Sequence, residues 1–311
     1  MKNKLAIVIP AYKANYLRET LESLVSQTCK NFVVYIGDDC SPYDIKSIIN
    51  DYINLMSIVY KRFEDNLGGR DLVSQWKRCI EMSCGEEWIW LFSDDDKLGE
   101  RCVEHFYSTI NNSSSLYDIY HFNVKIIDRV GNVIYKPKKF PKNINSYEFF
   151  IQKESAVLNS FVVEYVFSRD IYNKVGGFQN FDMAWGSDIA TWVKMGMNKG
   201  IQTIDGDYVY WRKSEVNITP NISNDMSFKK FIINLDYILW SNKFFNNSKI
   251  RRFNIYHIYR LFFHYSRILN TRQLNYILSK AVILDLISRN TKKIFMLSLP
   301  LTRLFKSLRH E

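Results

Sequence analysis

The chain has 311 residues, 47% of them apolar, enough for a sizeable core in one large domain with an appendage or in two domains, and too many for an intrinsically disordered chain. Its formal net charge of +10 is unevenly spread: residues 212–311 hold 18 Lys and Arg against 5 Asp and Glu, whereas residues 1–211 hold 24 against 27. The five cysteines are odd in number and lack C-x-x-C spacing, which argues against a disulfide framework, and the scattered histidines show no zinc-like spacing.

Leu5-Ala6-Ile7-Val8-Ile9 is a mostly β-branched apolar run stopped by Pro10, predicting a buried strand with Ala11 and Tyr12 in the loop behind it. Leu17, Leu21, Leu24 and Val25 then recur at helical spacing. Phe32-Val33-Val34-Tyr35-Ile36 is a second strand, delivering Asp38 and Asp39 into the turn Cys40-Ser41-Pro42. A helix around Ile45, Ile48, Ile49 and Tyr52 and a short strand at Ile58-Val59-Tyr60 follow, then a turn at Asn66-Leu67-Gly68-Gly69-Arg70. Trp88-Ile89-Trp90-Leu91-Phe92 is a further strand, and it runs into Asp94-Asp95-Asp96. Three acids at one strand end repel each other. Either the turn is solvated, or a cation relieves it, most simply a divalent ion shared with nucleotide phosphates. The alternation of strand and helix predicts a parallel α/β sheet, in which ligands bind at the strand C-termini where both acidic turns lie.

After Gly206 there is no glycine, and Lys and Arg lie beside aromatic residues at helical spacing, with Pro220 and Pro300 as the breakers. This basic region, residues 216–311, is expected either to pack with a solvated face or to dock on an anionic membrane surface. Nucleic-acid binding is not expected, because no recognition motif is present and the basic region is separate from the acidic turns. Met1-Lys2-Asn3-Lys4 leads into a short strand rather than an apolar signal segment, and no window reaches the roughly 18 to 20 apolar residues of a membrane span. The expected location is the cytoplasm, peripheral at the inner face of the plasma membrane if the basic region docks there.

Several of these segments, in this order, resemble family 2 glycosyltransferases. They are Ile7-Val8-Ile9-Pro10-Ala11-Tyr12, Leu21 to Thr28, Asn31-Phe32 leading to Asp38-Asp39-Cys40-Ser41, Asn66-Leu67-Gly68-Gly69 and Asp94-Asp95-Asp96. Later come Val175-Gly176-Gly177-Phe178, Trp185-Gly186-Ser187-Asp188 and Tyr210-Trp211-Arg212. The resemblance implies a GT-A fold over residues 1–215, a mixed nucleotide-binding sheet flanked by helices. It also implies inverting transfer of a sugar from a nucleotide-diphosphate sugar to a glycan or lipid-linked glycan, of the kind used in bacterial surface polysaccharide assembly. A protein that keeps this fold for nucleotide-sugar binding or membrane scaffolding, without turnover, is the alternative.

The same resemblance distributes roles. Pro10, Ala11 and Tyr12 would contact the nucleotide, and Asp39 would accept a hydrogen bond from a base imide N–H, favouring UDP or dTDP, while Asp38 braces its turn. Asp94 would serve the ribose, Asp95 would hold Mn²⁺ or Mg²⁺, and Asp96 would support the metal or touch the donor sugar. Relatives commonly carry a carboxylate at the position of Ser93, so the ribose assignment is open to a shift of one. Arg70 is a candidate phosphate ligand or a solvated cation, and Trp185 stacks on a sugar or packs. Tyr210-Trp211-Arg212 corresponds to a late loop closing over the diphosphate, with Arg212 on the leaving group. Asp188 corresponds to the catalytic base; the family commonly has Glu-Asp there and this chain has Ser187-Asp188. The competing reading makes Asp188 a helix cap, which would lower its pKa.

Overall fold

Leu5–Ala11 form β1, and its unbroken apolar run is what a strand covered on both faces requires. The computed structural model describes residues 5–83, 85–112, 117–213 and 223–304. These fall into two compact units, Met1–Ser214 and Glu215–Glu311.

In the first unit strand and helix alternate: β1, α1 (Leu17–Val25), β2 (Phe32–Asp38), α2 (Ile45–Asn50), β3 (Ile58–Arg62), α3 (Leu72–Ile80) and β4 (Trp88–Leu91). Leu17, Leu21 and Leu24 of α1 bury one stripe against this sheet, as their spacing predicts. Next come β5 (Lys97–Leu98), α4 (Cys102–Asn112), β6 (Ile119–Ile127), β7 (Val133–Tyr135), β8 (Asn143–Ile144) and α5 (Ser146–Glu154). The unit closes with β9 (Tyr165–Ser168), α6 (Arg169–Lys174), α7 (Ser187–Met195) and β10 (Ile201–Arg212).

The sheet runs β3-β2-β1-β4-β9-β6-β10-β5, with β7 on β6 and β8 on β10. Strands β3, β2, β1 and β4 are parallel, β9 is antiparallel to both β4 and β6, and β10 is parallel to β6. This is the mixed α/β sheet expected. The chain leaves β1 toward β2 on one side and returns to β4 on the other, so the β1 and β4 C-termini flank a topological switch point, the usual ligand crevice of such sheets.

The second unit is helical: α8 (Asn224–Phe245), α9 (Ser248–Tyr265), α10 (Thr271–Ile283) and α11 (Arg289–Leu304). Side-chain caps from Ser223, Asn247 and Asn270 start three of these helices, and Phe231, Leu235, Ile258, Phe262, Leu274, Ile277, Phe295 and Leu299 fill their core. Pro300, expected to break a helix, instead lies inside α11. It is exposed, and the burial of Phe295 and Leu299 holds the turns around it. Pro220 lies outside the described residues. Among those residues no helix is long and apolar enough to cross a membrane, and Cys29, Cys40, Cys79 and Cys102 are free thiols.

Candidate active site

The acidic triplet leaves β4 buried and is held from three directions. Asp94 Oδ2 accepts hydrogen bonds from the backbone N–H groups of Tyr12 (2.8 Å) and Lys13 (2.7 Å), which ties the triplet to the loop after β1. Asp95 Oδ2 faces Lys13 Nζ at 3.2 Å, and its other oxygen accepts from the Ser93 hydroxyl. Asp96 Oδ1 accepts from the Arg212 backbone N–H at 2.6 Å, and its carbonyl from Thr20 Oγ1 of α1 at 2.8 Å. Burial, with the charge of Asp95 added, pushes Asp94 up to about 6 and Asp96 well above the usual carboxylate range. Burial also works against the Lys13 ammonium, yet Asp95, Asp94 and Asp96 together hold its pKa above the ordinary lysine value. An electrostatically costly cluster is therefore balanced by a cation that stands on Asp95.

The other early candidates meet the same edge. Pro10 and Ala11, expected to stop the strand and to lie in the loop, instead continue β1 and pair with Gly37 and Asp38 of β2, and the Asp39 N–H donates to the Ala11 carbonyl at 2.9 Å. The half-exposed Tyr12 accepts at its carbonyl from Ser41 Oγ. Asp38 braces its turn as expected, accepting from Ser41 N–H, Tyr60 and Arg62. Asp39 is buried and accepts from the Leu67 and Gly68 N–H groups, both at 2.9 Å, and from Arg78 Nη2 at 2.6 Å. A Cβ on Gly68 would lie 2.7 Å from Asp39 Oδ2, so this close approach requires glycine. Arg70 is paired with Asp65 on the surface, its side chain 69% exposed.

Tyr210-Trp211-Arg212, expected as a loop, instead ends β10. Its residues register with Lys125, Ile126 and Ile127 of β6, and Trp211 stacks on Phe161 at 4.3 Å. The Arg212 side chain is fully buried: Nε donates to the Asp95 carbonyl (2.9 Å), Nη1 to the carbonyls of Asp128 (3.1 Å) and Arg129 (2.9 Å), and Nη2 to Glu19 (2.7 Å). This geometry makes Arg212 a tether between the acidic loop, α1 and the β6–β7 turn.

Asp188 lies in the first turn of α7, behind a strained approach. Met183 and Ala184 in a single 3-10 turn have φ of 58° and 54°, and Gly186 has φ of 81°. Left-handed non-glycine residues store strain of a kind concentrated at functional sites. The helix begins at Gly186, which has no side chain to cap it, and the backbone N–H of Ile189 in the first turn bonds instead to the carboxylate of Asp188, the contact that the capping reading calls for. Its pKa is raised, chiefly by burial, although the N–H of Ile189 and the charge of Lys153 pull the other way. Trp185, partly buried, closes the 3-10 turn. Upstream, Gly176 and Gly177 turn with φ of 79° and 77°, and Phe178 anchors on Trp76 and Trp192 at 5.2 and 5.4 Å.

The profile of glycosyl transferase family 2 matches residues 6–173, more than half of the chain, including β1, the acidic turns and β9. The chain belongs to glycosyltransferase family 2. An uncharacterized glycosyltransferase of Rickettsia typhi is 28% identical over 131 residues, 42% of this chain and 39% of that protein. The poly(ribitol-phosphate) β-N-acetylglucosaminyltransferase TarS of Staphylococcus aureus is 26% identical over 131 residues, 41% of this chain and 21% of TarS. The matches thus span two fifths or less of these curated relatives. A crystal structure of TarS residues 1–349 with UDP-GlcNAc superposes with a TM-score of 0.60 at 17% identity, over 95% of this chain and 91% of that one, which shows a shared fold. A structure of GalNAc-T7 with UDP, GalNAc and Mn²⁺ covers 68% of this chain and 44% of its own, with a TM-score of 0.50 and 10% identity.

For this family 2 chain, sequence reasoning missed Lys13, Glu19 and Arg78. Lone charges in a loop or helix carry no pattern; the one available signal was Lys13 directly after Pro10-Ala11-Tyr12. Among the described residues no three His, Cys, Asp or Glu side chains converge as a ligand set. The donors present nonetheless fit a Mg²⁺-like or Mn²⁺-like ion held by one carboxylate plus substrate phosphates, because Asp95 already faces a cation, the Lys13 ammonium.

Proposed function

We propose that the chain is an inverting glycosyltransferase that moves a sugar from a UDP- or dTDP-type nucleotide sugar onto a hydroxyl of a glycan or lipid-linked glycan, in surface polysaccharide assembly. The observation that carries this reading is the joining of Tyr12, Lys13 and the buried Asp94-Asp95-Asp96 at the β1/β4 switch point. In this reading Pro10, Ala11, Tyr12 and Asp39 hold the nucleoside and Asp94 the ribose, while Asp96 lines the donor-sugar side. Arg70, on the surface, joins only if it leaves Asp65 for a phosphate. Trp185 stacks on a sugar face of the nucleotide sugar.

Asp188 takes the proton from the acceptor hydroxyl as that oxygen bonds to the anomeric carbon and the bond to the diphosphate breaks. One base and no enzyme nucleophile means a single in-line displacement, hence inversion. Burial suits Asp188 to this task by strengthening it as a base. Asp95 would hold a divalent ion, which neutralises charge on the departing phosphates when bound. Lys13 sets the charge balance of Asp95 before the donor arrives, and Arg212 fixes the loop that carries Asp94, Asp95 and Asp96.

Incubating the protein with UDP- and dTDP-sugars, Mn²⁺ and glycan acceptors, and measuring nucleotide release with product mass, tests the reading. Transfer of one sugar with inverted anomeric configuration is expected. Tight donor binding with neither transfer nor hydrolysis would favour the non-catalytic binding protein.

A further inference from the structure

The last described helix presents a second apolar face that the core does not use. Phe295, Leu299 and Thr302 of α11 are buried, yet Ile294, Leu297, Leu301 and Leu304 are 63%, 79%, 60% and 62% exposed. At roughly 100° per residue these four fall within an arc of about 80° on one side of the helix. The exposed Pro300 borders that arc, as do the exposed Arg289 and Lys293, and the polar Asn290 lies within it. Ile283, 83% exposed, ends the neighbouring helix α10, whose outer surface also carries the exposed Arg272 and Tyr276. A folded helix rarely turns a row of large aliphatic side chains toward water.

We infer that this face of α11 docks in the headgroup boundary of an anionic membrane, with the aliphatic row inserted and the bordering basic residues against lipid phosphates. Charge chooses this occupant. Residues 212–311 carry net +13, which an anionic surface attracts. A second copy of the chain would instead bring the same basic rim against its own image. The inference is independent of the transfer reaction, and it gives the helical region a definite membrane-facing surface.

The full chain is tested by co-sedimentation with neutral phosphatidylcholine vesicles and with vesicles containing 30% phosphatidylglycerol. The wild type is expected to bind the anionic vesicles at least tenfold better, and to lose most of that preference in 0.5 M salt. The exposed double variant Leu297→Glu/Leu301→Glu is expected to lose at least tenfold of the binding with its melting temperature unchanged. In a Leu297→Trp variant, emission should shift to the blue on anionic vesicles alone. Equal binding to both vesicles, undiminished binding by the double variant, or a concentration-dependent dimer that the double variant abolishes would each overturn the inference.

Discussion

Replacing Arg212 by Met separates a tether from a substrate ligand. The buried guanidinium satisfies the carbonyls of Asp95, Asp128 and Arg129 and one carboxylate oxygen of Glu19. Met fills similar space but removes a donor from three carbonyls, of which only that of Asp95 belongs to a buried residue, at about 1 to 3 kcal/mol; Asp128 is half-buried and keeps the Gly131 N–H, and Arg129 is exposed. The Glu19 term adds little, because that carboxylate is 36% exposed and water re-solvates it. A loss of about 1 to 3 kcal/mol follows, carried by the one carbonyl left dry. For a unit of this size that is a fall in melting temperature of roughly 2 to 12 °C. Glu19→Gln should cost only about 1 kcal/mol, and Arg212→Lys should fall between, since an ammonium cannot reach the same forked set of acceptors. Differential scanning calorimetry without nucleotide measures all three. A drop below about 2 °C for Arg212→Met, with UDP affinity strongly reduced, would refute the tether and return Arg212 to the leaving group.

Asp95→Asn should leave the fold intact, abolish transfer and remove the Mn²⁺ dependence of UDP binding, measured by titration with and without EDTA; full activity in EDTA would remove the metal from the account. Asp39 should make the protein prefer UDP or dTDP over GDP by isothermal titration, and tighter GDP binding would overturn its role at the base. Asp94 is raised from 3.8 to about 6, so the folded state binds its proton more tightly and the stability this confers is lost as pH rises from about 4 through 6. Buried His121, lowered to about 3, acts in the opposite sense, so the Asp94 effect must be read by difference. The melting temperature of Asp94→Asn minus that of the wild type should be near zero at pH 4 and positive at pH 7, while UDP affinity falls; a difference independent of pH would contradict the burial argument.

The half of the sheet that was legible is the half built locally. β1, β2 and β4 announce themselves as β-branched or aromatic runs ending in turn residues, and α1 by the spacing of Leu17, Leu21 and Leu24, because burial of each depends on near neighbours in sequence. β9 and β10 were not legible as strands. Tyr165–Ser168 is four residues long and gains its place only by pairing with β4 and β6, far away in the chain. Tyr210-Trp211-Arg212 was expected as a loop from the family resemblance alone, and its place in a strand comes from pairing with β6, far away in the chain. The acidic residues were visible because clustered like charge is costly and therefore conspicuous, whereas Lys13 and Glu19, which relieve that cost, are single charges whose partners only the fold supplies. At Asp188 the sequence suggested a helix-start acid of lowered pKa; burial outweighs the helix N–H groups and reverses the sign.

The central claim is that Asp188 deprotonates the acceptor. Its most direct test is steady-state transfer and donor titration on the same Asp188→Asn protein, with a thermal melt to establish the fold. General-base loss predicts a fall in turnover of roughly 10² to 10⁴ with donor affinity little changed. Near-normal turnover in a folded Asp188→Asn protein would contradict the account and pass the role to Glu164 or Asp182.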